Sequence, residues 1–412
     1  MRKITKKISF LLLIPVFLVF NHCASNKDGY RHRNKANAVA SSPEFALDKW
    51  ERNPNPVLKG FMHAYQPCVA ETGNKEYPYM MWFFGWIESL CNPGYTGCDA
   101  IYVARSKDLD NWEVYCKDGT WDADEQNQKW QPVIYGDPDT KNKYYDSYHN
   151  GDPSVVLKDG VYYMAYSATS DIFPKTEGYP FSIICCVMGA TSKDGIHWTK
   201  TDKPLLMAAE DEIFPPKPYP NRIGDFHRPC LLWDKKQNKW NLYFDYIIVQ
   251  APDFVVGLAE NKGDFMKDKF EVVNELDEPL LRNWPNPEMV CFDSVYYSFS
   301  DGSGYNASAP SGKKPSEWQS RQIMVAKSND GLKWEKLYTI PPDPGIDANQ
   351  IPQTLVCKRD GKWWLYVFYA TQVGWRNNGV DYELFKEGEE YNWFYDQIRY
   401  MRQEITNPKH NY

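Results

Sequence analysis

No C-x-x-C pair and no cluster of histidine with cysteine occurs in this 412-residue chain, which argues against a structural zinc site. Basic residues are not in surplus either. A net charge of −7, with acids and bases interspersed, leaves no face for nucleic acid. Bulk charge does not favour an acidic polymer, although a local arginine or lysine pocket would still accept one. The apolar run Ile8 to Phe20 is too short for a transmembrane helix, and Arg2, Lys3, Lys6 and Lys7 flank it on one side only. That layout is a secretory signal peptide over residues 1–22. Ten cysteines with Cys23 set apart leave an odd nine, so a complete disulfide framework is excluded.

Cys23 stands where an exported bacterial lipoprotein carries its acylated cysteine. The preceding Phe20-Asn21-His22 lacks the small residues of a good lipobox, so anchoring and simple cleavage both stay open. The expected location is the periplasm or the outer surface, with the membrane met only through such an anchor. Residues 23–55 are polar and read as a tether, and residues 406–412 as a tail. Cys91 and Cys98 bracket a short loop that a bridge would close in an oxidising compartment. The remaining cysteines fall mostly in strand-like runs and read as buried thiols.

What is abundant is aromatic: 16% of the chain, led by 29 Tyr and 16 Trp. These residues favour strands and also make platforms for sugar rings. Five segments open alike, with proline at 67, 153, 229, 287 and 352, about 71 residues apart on average. Each leads through a polar turn to an aromatic strand, such as Tyr79-Met80-Met81-Trp82 or Trp363-Trp364-Leu365-Tyr366. Three units then carry Ser-x-Asp and a tryptophan: Ser106, Asp108, Trp112; Ser192, Asp194, Trp198; Ser328, Asp330, Trp334. Their recurrence marks these aspartates as turn formers. Five repeats with no helical period predict an all-β five-bladed β-propeller with four-stranded antiparallel blades over residues 56–405.

In such a ring the innermost strands line the channel. Strict alternation puts the residues before and after each proline on one face: Gln66 and Cys68, Asp152 and Ser154, Arg228 and Cys230, Asn286 and Glu288, Ile351 and Gln353. Asp152 and Glu288 would then share a polar pocket, with Asp225, His227 and Arg228 completing its wall and Gln66, Asn286 and Gln353 beside it. Trp86, Trp284 and Tyr305 are candidate sugar platforms, or else core. Asp152 could instead cap a turn, and a His–Asp–Arg network could merely join blades.

The stretch Asn150-Gly151-Asp152-Pro153-Ser154-Val155-Val156, with Asp159-Gly160-Val161-Tyr162-Tyr163-Met164-Ala165-Tyr166-Ser167, resembles the opening blade motif of five-bladed glycosidases. The similar groups are glycoside hydrolase families 43, 32 and 117 and the mannoside phosphorylases related in fold. The resemblance implies an Asp base or nucleophile at a strand start, a second Asp that orients or tunes it, and a Glu acid. Asp152 matches the first, Glu288 the acid by blade and face, and Asp225 the tuning residue. Gln66 departs from the pattern, because the family usually starts its first unit with Asp. The implied activity is exo-acting hydrolysis of oligosaccharides from a complex polysaccharide, with no cofactor required; a calcium ion in the channel is compatible with it. A phosphorylase or a non-catalytic carbohydrate-binding propeller are the alternatives.

Overall fold

The computed structural model describes residues 49–406 apart from 62, 87–99, 124–128, 138, 171–183, 209–222, 249–250, 293, 303–320, 343–347 and 373–396. The signal peptide, Cys23, the Cys91–Cys98 loop, Tyr305 and the last six residues lie outside that set. Five antiparallel sheets follow one another along the chain and form a five-bladed propeller. Blade 1 is built from His63–Glu71, Tyr79–Trp86, Ala100–Ser106, Trp112–Tyr115 and Trp121–Asp122. Blade 2 uses His149–Lys158, Val161–Ser170, Ile184–Ser192 and Thr199–Lys200, and blade 3 uses Ile223–Asp234, Lys239–Ile248, Ala251–Asn261 and Glu271–Val272. Blade 4 is Glu288–Phe292, Val295–Ser300, Ile323–Ser328 and Glu335–Ile340. Blade 5 is Ala348–Arg359, Lys362–Gln372 and Gln397–Ile405.

Three sheets exceed the expected four strands. Blade 1 has its fifth in line, while Leu206–Met207 and Leu281–Arg282 pair as short extras with the third strands of blades 2 and 3. Blade 5 takes its fourth strand from the other end of the chain. Glu51–Arg52 pairs with Gln397–Ile405, Glu51 opposite Arg402, so the propeller begins before residue 56. The two-residue strand is polar and gives no periodic signal, but its chemistry repeats. Arg402 Nε lies 2.9 Å from Glu51, as Arg105 lies 2.8 Å from Glu113 in blade 1 and Lys327 3.5 Å from Glu335 in blade 4.

The aromatics go mainly to the joints. Five hydrophobic clusters are buried, one between each pair of neighbouring blades. Trp82, Met164 and Tyr166 fill the joint of blades 1 and 2, and Phe83, Tyr366 and Phe368 that of blades 5 and 1. Stacking the sheets in this way removes apolar faces from water and leaves only the ring's inner and outer edges to protect.

The three Ser-x-Asp turns are alike in detail. In blade 2, Ser192 Oγ accepts from the Asp194 and Gly195 N–H groups, and Asp194 Oδ1 accepts from Ile196 and His197 N–H. Trp198 Nε1 closes the turn on the Gly195 carbonyl at 3.0 Å. Gly195 has φ +76°, and Trp82 of blade 1 donates to its carbonyl at 2.8 Å, so the turn also seats a neighbour.

Candidate active site

Four of the five innermost strands are broken at the proline, and that of blade 4 begins just after it, at Glu288. Pairing with the second strand jumps from Tyr65 to Cys68, Gly151 to Ser154, His227 to Cys230 and Gln350 to Gln353, a bulge of one extra residue each time. The residue before the proline is left-handed in all five blades: Gln66 (φ 44°), Asp152 (51°), Arg228 (48°), Asn286 (51°) and Ile351 (51°). A left-handed non-glycine costs on the order of 1–3 kcal/mol, and a following proline favours extended backbone instead. Five such residues at one rim are held there by the ring.

The bulge changes which residues share a face. In blades 1, 2, 3 and 5 the residue after the proline aligns with the residue two before the proline, not with the one directly before, so the alternation expected for Asp152 with Ser154 is interrupted. In blade 4 the left-handed Asn286 precedes a strand that begins only at Glu288. The residues after the prolines reach towards the next blade. Cys68 Sγ accepts from Val155 N–H at 3.2 Å, Ser154 Oγ from Leu231 N–H at 2.9 Å, and Cys230 Sγ from Met289 N–H at 3.2 Å. Glu288 Oε1 does the same for Thr354 N–H at 3.0 Å and also accepts from its hydroxyl at 2.6 Å. Glu288 therefore stands in a series with cysteine, serine and cysteine that fastens blade to blade. Burial pushes its carboxyl up to about 7, although Thr354, the Cys230 thiol and Gln353 all bond to it. Gln353, 3% exposed, holds the same position in blade 5.

A second series clamps the strained residues. Ser167 Oγ accepts from Arg228 N–H at 2.7 Å, Asp245 Oδ2 from Asn286 N–H at 2.9 Å, and Asp301 Oδ2 from Ile351 N–H at 3.0 Å. Asp245 and Asp301, both fully buried, also gather the basic side chains of this rim. His227 Nδ1 lies 2.5 Å and Arg228 3.2 Å from Asp245, Arg321 lies 2.8 Å from Asp301, and Asn286 Nδ2 donates to Asp301 at 2.6 Å. The result is one hydrogen-bonded chain across blades 3, 4 and 5. Asp245, Asp301 and Arg321 were not among the sequence candidates. The signal of the two aspartates was a charge within or just after an apolar strand, in Tyr243-Phe244-Asp245-Tyr246 and Phe299-Ser300-Asp301, where a buried carboxylate needs partners.

Asp225 occupies an additional bulge. Pairing in blade 3 also jumps between Gly224 and His227, and Asp225 itself has φ 53°. Burial raises its carboxyl above the usual range, against the pull of His227, the Cys185 thiol and Arg228, and Asp245 adds to the rise. For Asp245, burial is outweighed by His227, Arg228 and the Asn286 N–H, so it stays below the usual range. Two neighbouring carboxyls are thus pushed in opposite directions, one towards acid and one towards anion. Asp152 is 8% exposed, and its carboxylate has no ion-pair or hydrogen-bond partner among the described residues.

The remaining candidates divide. Gln66, 2% exposed, adjoins the rim, and Trp86 is half-buried at the end of its strand opposite His63. Trp284 is 1% exposed and donates its indole N–H to Ser298 Oγ at 2.9 Å, so it belongs to the core and not to a sugar platform. No cluster of three metal-ligating side chains occurs among the described residues.

Comparison with known proteins adds the fold. No family model and no curated protein matches the sequence. Solved structures do match. A family 117 glycoside hydrolase from the marine bacterium Zobellia galactanivorans superposes with TM-score 0.51 at 13% identity, over 86% of this chain and 90% of that one. An alpha-L-arabinofuranosidase from Lactobacillus brevis gives 0.50 at 12%, over 85% and 92%. A further glycoside hydrolase gives 0.52 at 13%, over 87% and 92%. The likeness is one of fold. At such identity, a role for this chain's residues rests on its own rim chemistry.

Proposed function

We propose that this chain is an exported glycosidase, exo-acting on oligosaccharides, whose site is the proline rim of the propeller. The observation that supports it most is the set of rim carboxyls in unlike environments. Asp152 is without partners among the described residues, Asp225 is raised by burial, and Asp245 is held as an anion by His227 and Arg228. Glycoside hydrolysis needs one protonated and one ionised carboxyl. In this reading Asp152 is the base or nucleophile and Asp225 the acid. His227, fixed through Nδ1 by Asp245, hydrogen-bonds the sugar or the departing oxygen. The same fold in known glycosidases supports the class.

Glu288 is the second reading for the acid, favoured by a carboxyl near 7. Its place in the inter-blade series favours a fastening role, and Glu288→Gln separates the two. A phosphorylase would need cations free for phosphate, whereas Arg228 and Arg321 each face a buried aspartate. A purely binding propeller is distinguished by turnover. The export part rests on the N-terminal charge and apolar run, and N-terminal sequencing of secreted protein tests it, with a start at or near Cys23 expected.

A further inference from the structure

The clamp that fastens joints 2–3, 3–4 and 4–5 changes at the joint of blades 1 and 2. The position held by Ser167, Asp245 and Asp301 is Phe84 in blade 1, opposite Tyr65. Tyr65 and Phe84 stack at 5.5 Å with 15° between planes, and Phe84 meets the His149 ring of blade 2 at 5.4 Å. Phe84 is buried at the base, while Tyr65 and His149 remain half-buried. Gly151 fits because it has no side chain: a Cβ there would lie 2.8 Å from His149 and 2.9 Å from Phe84. Next in sequence on either side stand Gln66 and Asp152.

Two polar side chains beside this wall, one next in sequence to Tyr65 and one across the sheet from His149, have atoms without a partner among the described residues. Gln66 Oε1 and Thr169 Oγ1 are buried without a hydrogen bond, and Thr169 pairs with His149 across the sheet. Gln66 is 2% and Thr169 5% exposed. A buried polar atom left unmade costs on the order of 1–3 kcal/mol, which a ligand hydroxyl would recover. Asp152 and Asp225 disfavour a second negative charge, and Arg228 and Arg321 are engaged by Asp245 and Asp301.

We infer that Tyr65 and His149 form a platform for the C–H face of an uncharged sugar ring, with Gln66 and Thr169 meeting its hydroxyls. This rests on the glycosidase reading for its biological sense, but it can fail separately. Saturation-transfer NMR on the full chain would use L-arabinose, D-xylose, D-galactose and D-galacturonate as probes. At least one neutral sugar should show contact concentrated on one ring face, while galacturonate shows none. Tyr65→Ala should weaken that binding at least about tenfold, Tyr65→Trp should keep it, and Gln66→Ala should weaken it with the melting temperature unchanged. Binding unaffected in Tyr65→Ala, preference for galacturonate, or no neutral sugar bound would each overturn the platform. Binding with no hydrolysis of any glycoside would instead remove the catalytic reading and leave the platform standing.

Discussion

Glu288 and Asp152 sit on either side of the same repeated proline and have different work. Asp152 is a strained residue before a proline whose carboxylate no described residue claims, whereas Glu288 follows one and fastens blade 4 to blade 5. A buried acid raised from about 4.5 to about 7 keeps its proton in the folded chain while the unfolded chain has lost its own. Stability from this group therefore falls as pH rises between those values, by on the order of 3 kcal/mol in all. Urea unfolding at pH 5 and pH 8 should show that loss in the wild type and a flatter dependence in Glu288→Gln; equal slopes would contradict it. The same variant should retain turnover. Asp225 predicts the alkaline limb of activity, since a raised acid stops donating once it ionises. Asp225→Asn should cut kcat at least about a hundredfold, measured across pH 5–9. Sequence pointed to Asp152, Asp225, His227 and Arg228 because they cluster near prolines. It missed Asp245 and Asp301 because a lone aspartate in or beside a strand looks the same in sequence whether it clamps a neighbour or meets water.

At the level of the element, the proline bulge recurs in four blades and the Ser-x-Asp turn in three, and both were visible as motifs. Their geometry was not equally visible. A proline marks where a strand begins, but the left-handed residue before it arises from pairing with the second strand and support from the preceding blade. Simple alternation therefore placed Glu288 with Asp152. The turns were easier, because serine, aspartate and tryptophan make them from local hydrogen bonds alone. Burial opposes charge on Asp194, yet the His197 ring and the N–H groups of His197 and Ile196 hold it well below the usual range. Asp194→Ala should cost about 1 kcal/mol in chemical unfolding at pH 7. Ser192→Ala should act in the same direction, and an unchanged midpoint for both would mean the turn forms without them.

Across the whole molecule, five repeats fixed the blade count, while the closure stayed hidden in Glu51–Arg52, too short and polar to read as a strand. Its removal leaves blade 5 with an open edge next to Arg402. A chain lacking residues 1–55 should melt lower than one lacking 1–45, and dilute scanning calorimetry of the pair checks this. Equal melting temperatures would show that the strand is ornamental to closure. The central claim is that the proline rim hydrolyses glycosides through Asp152. Its most direct measurement is sugar released from a panel of neutral oligosaccharides and aryl glycosides by wild type and Asp152→Asn at equal fold stability. The expected result is turnover by the wild type on at least one substrate, reduced at least about a thousandfold in the variant with sugar binding retained. Equal release by both proteins, or none by the wild type on a sugar it binds, would contradict the account.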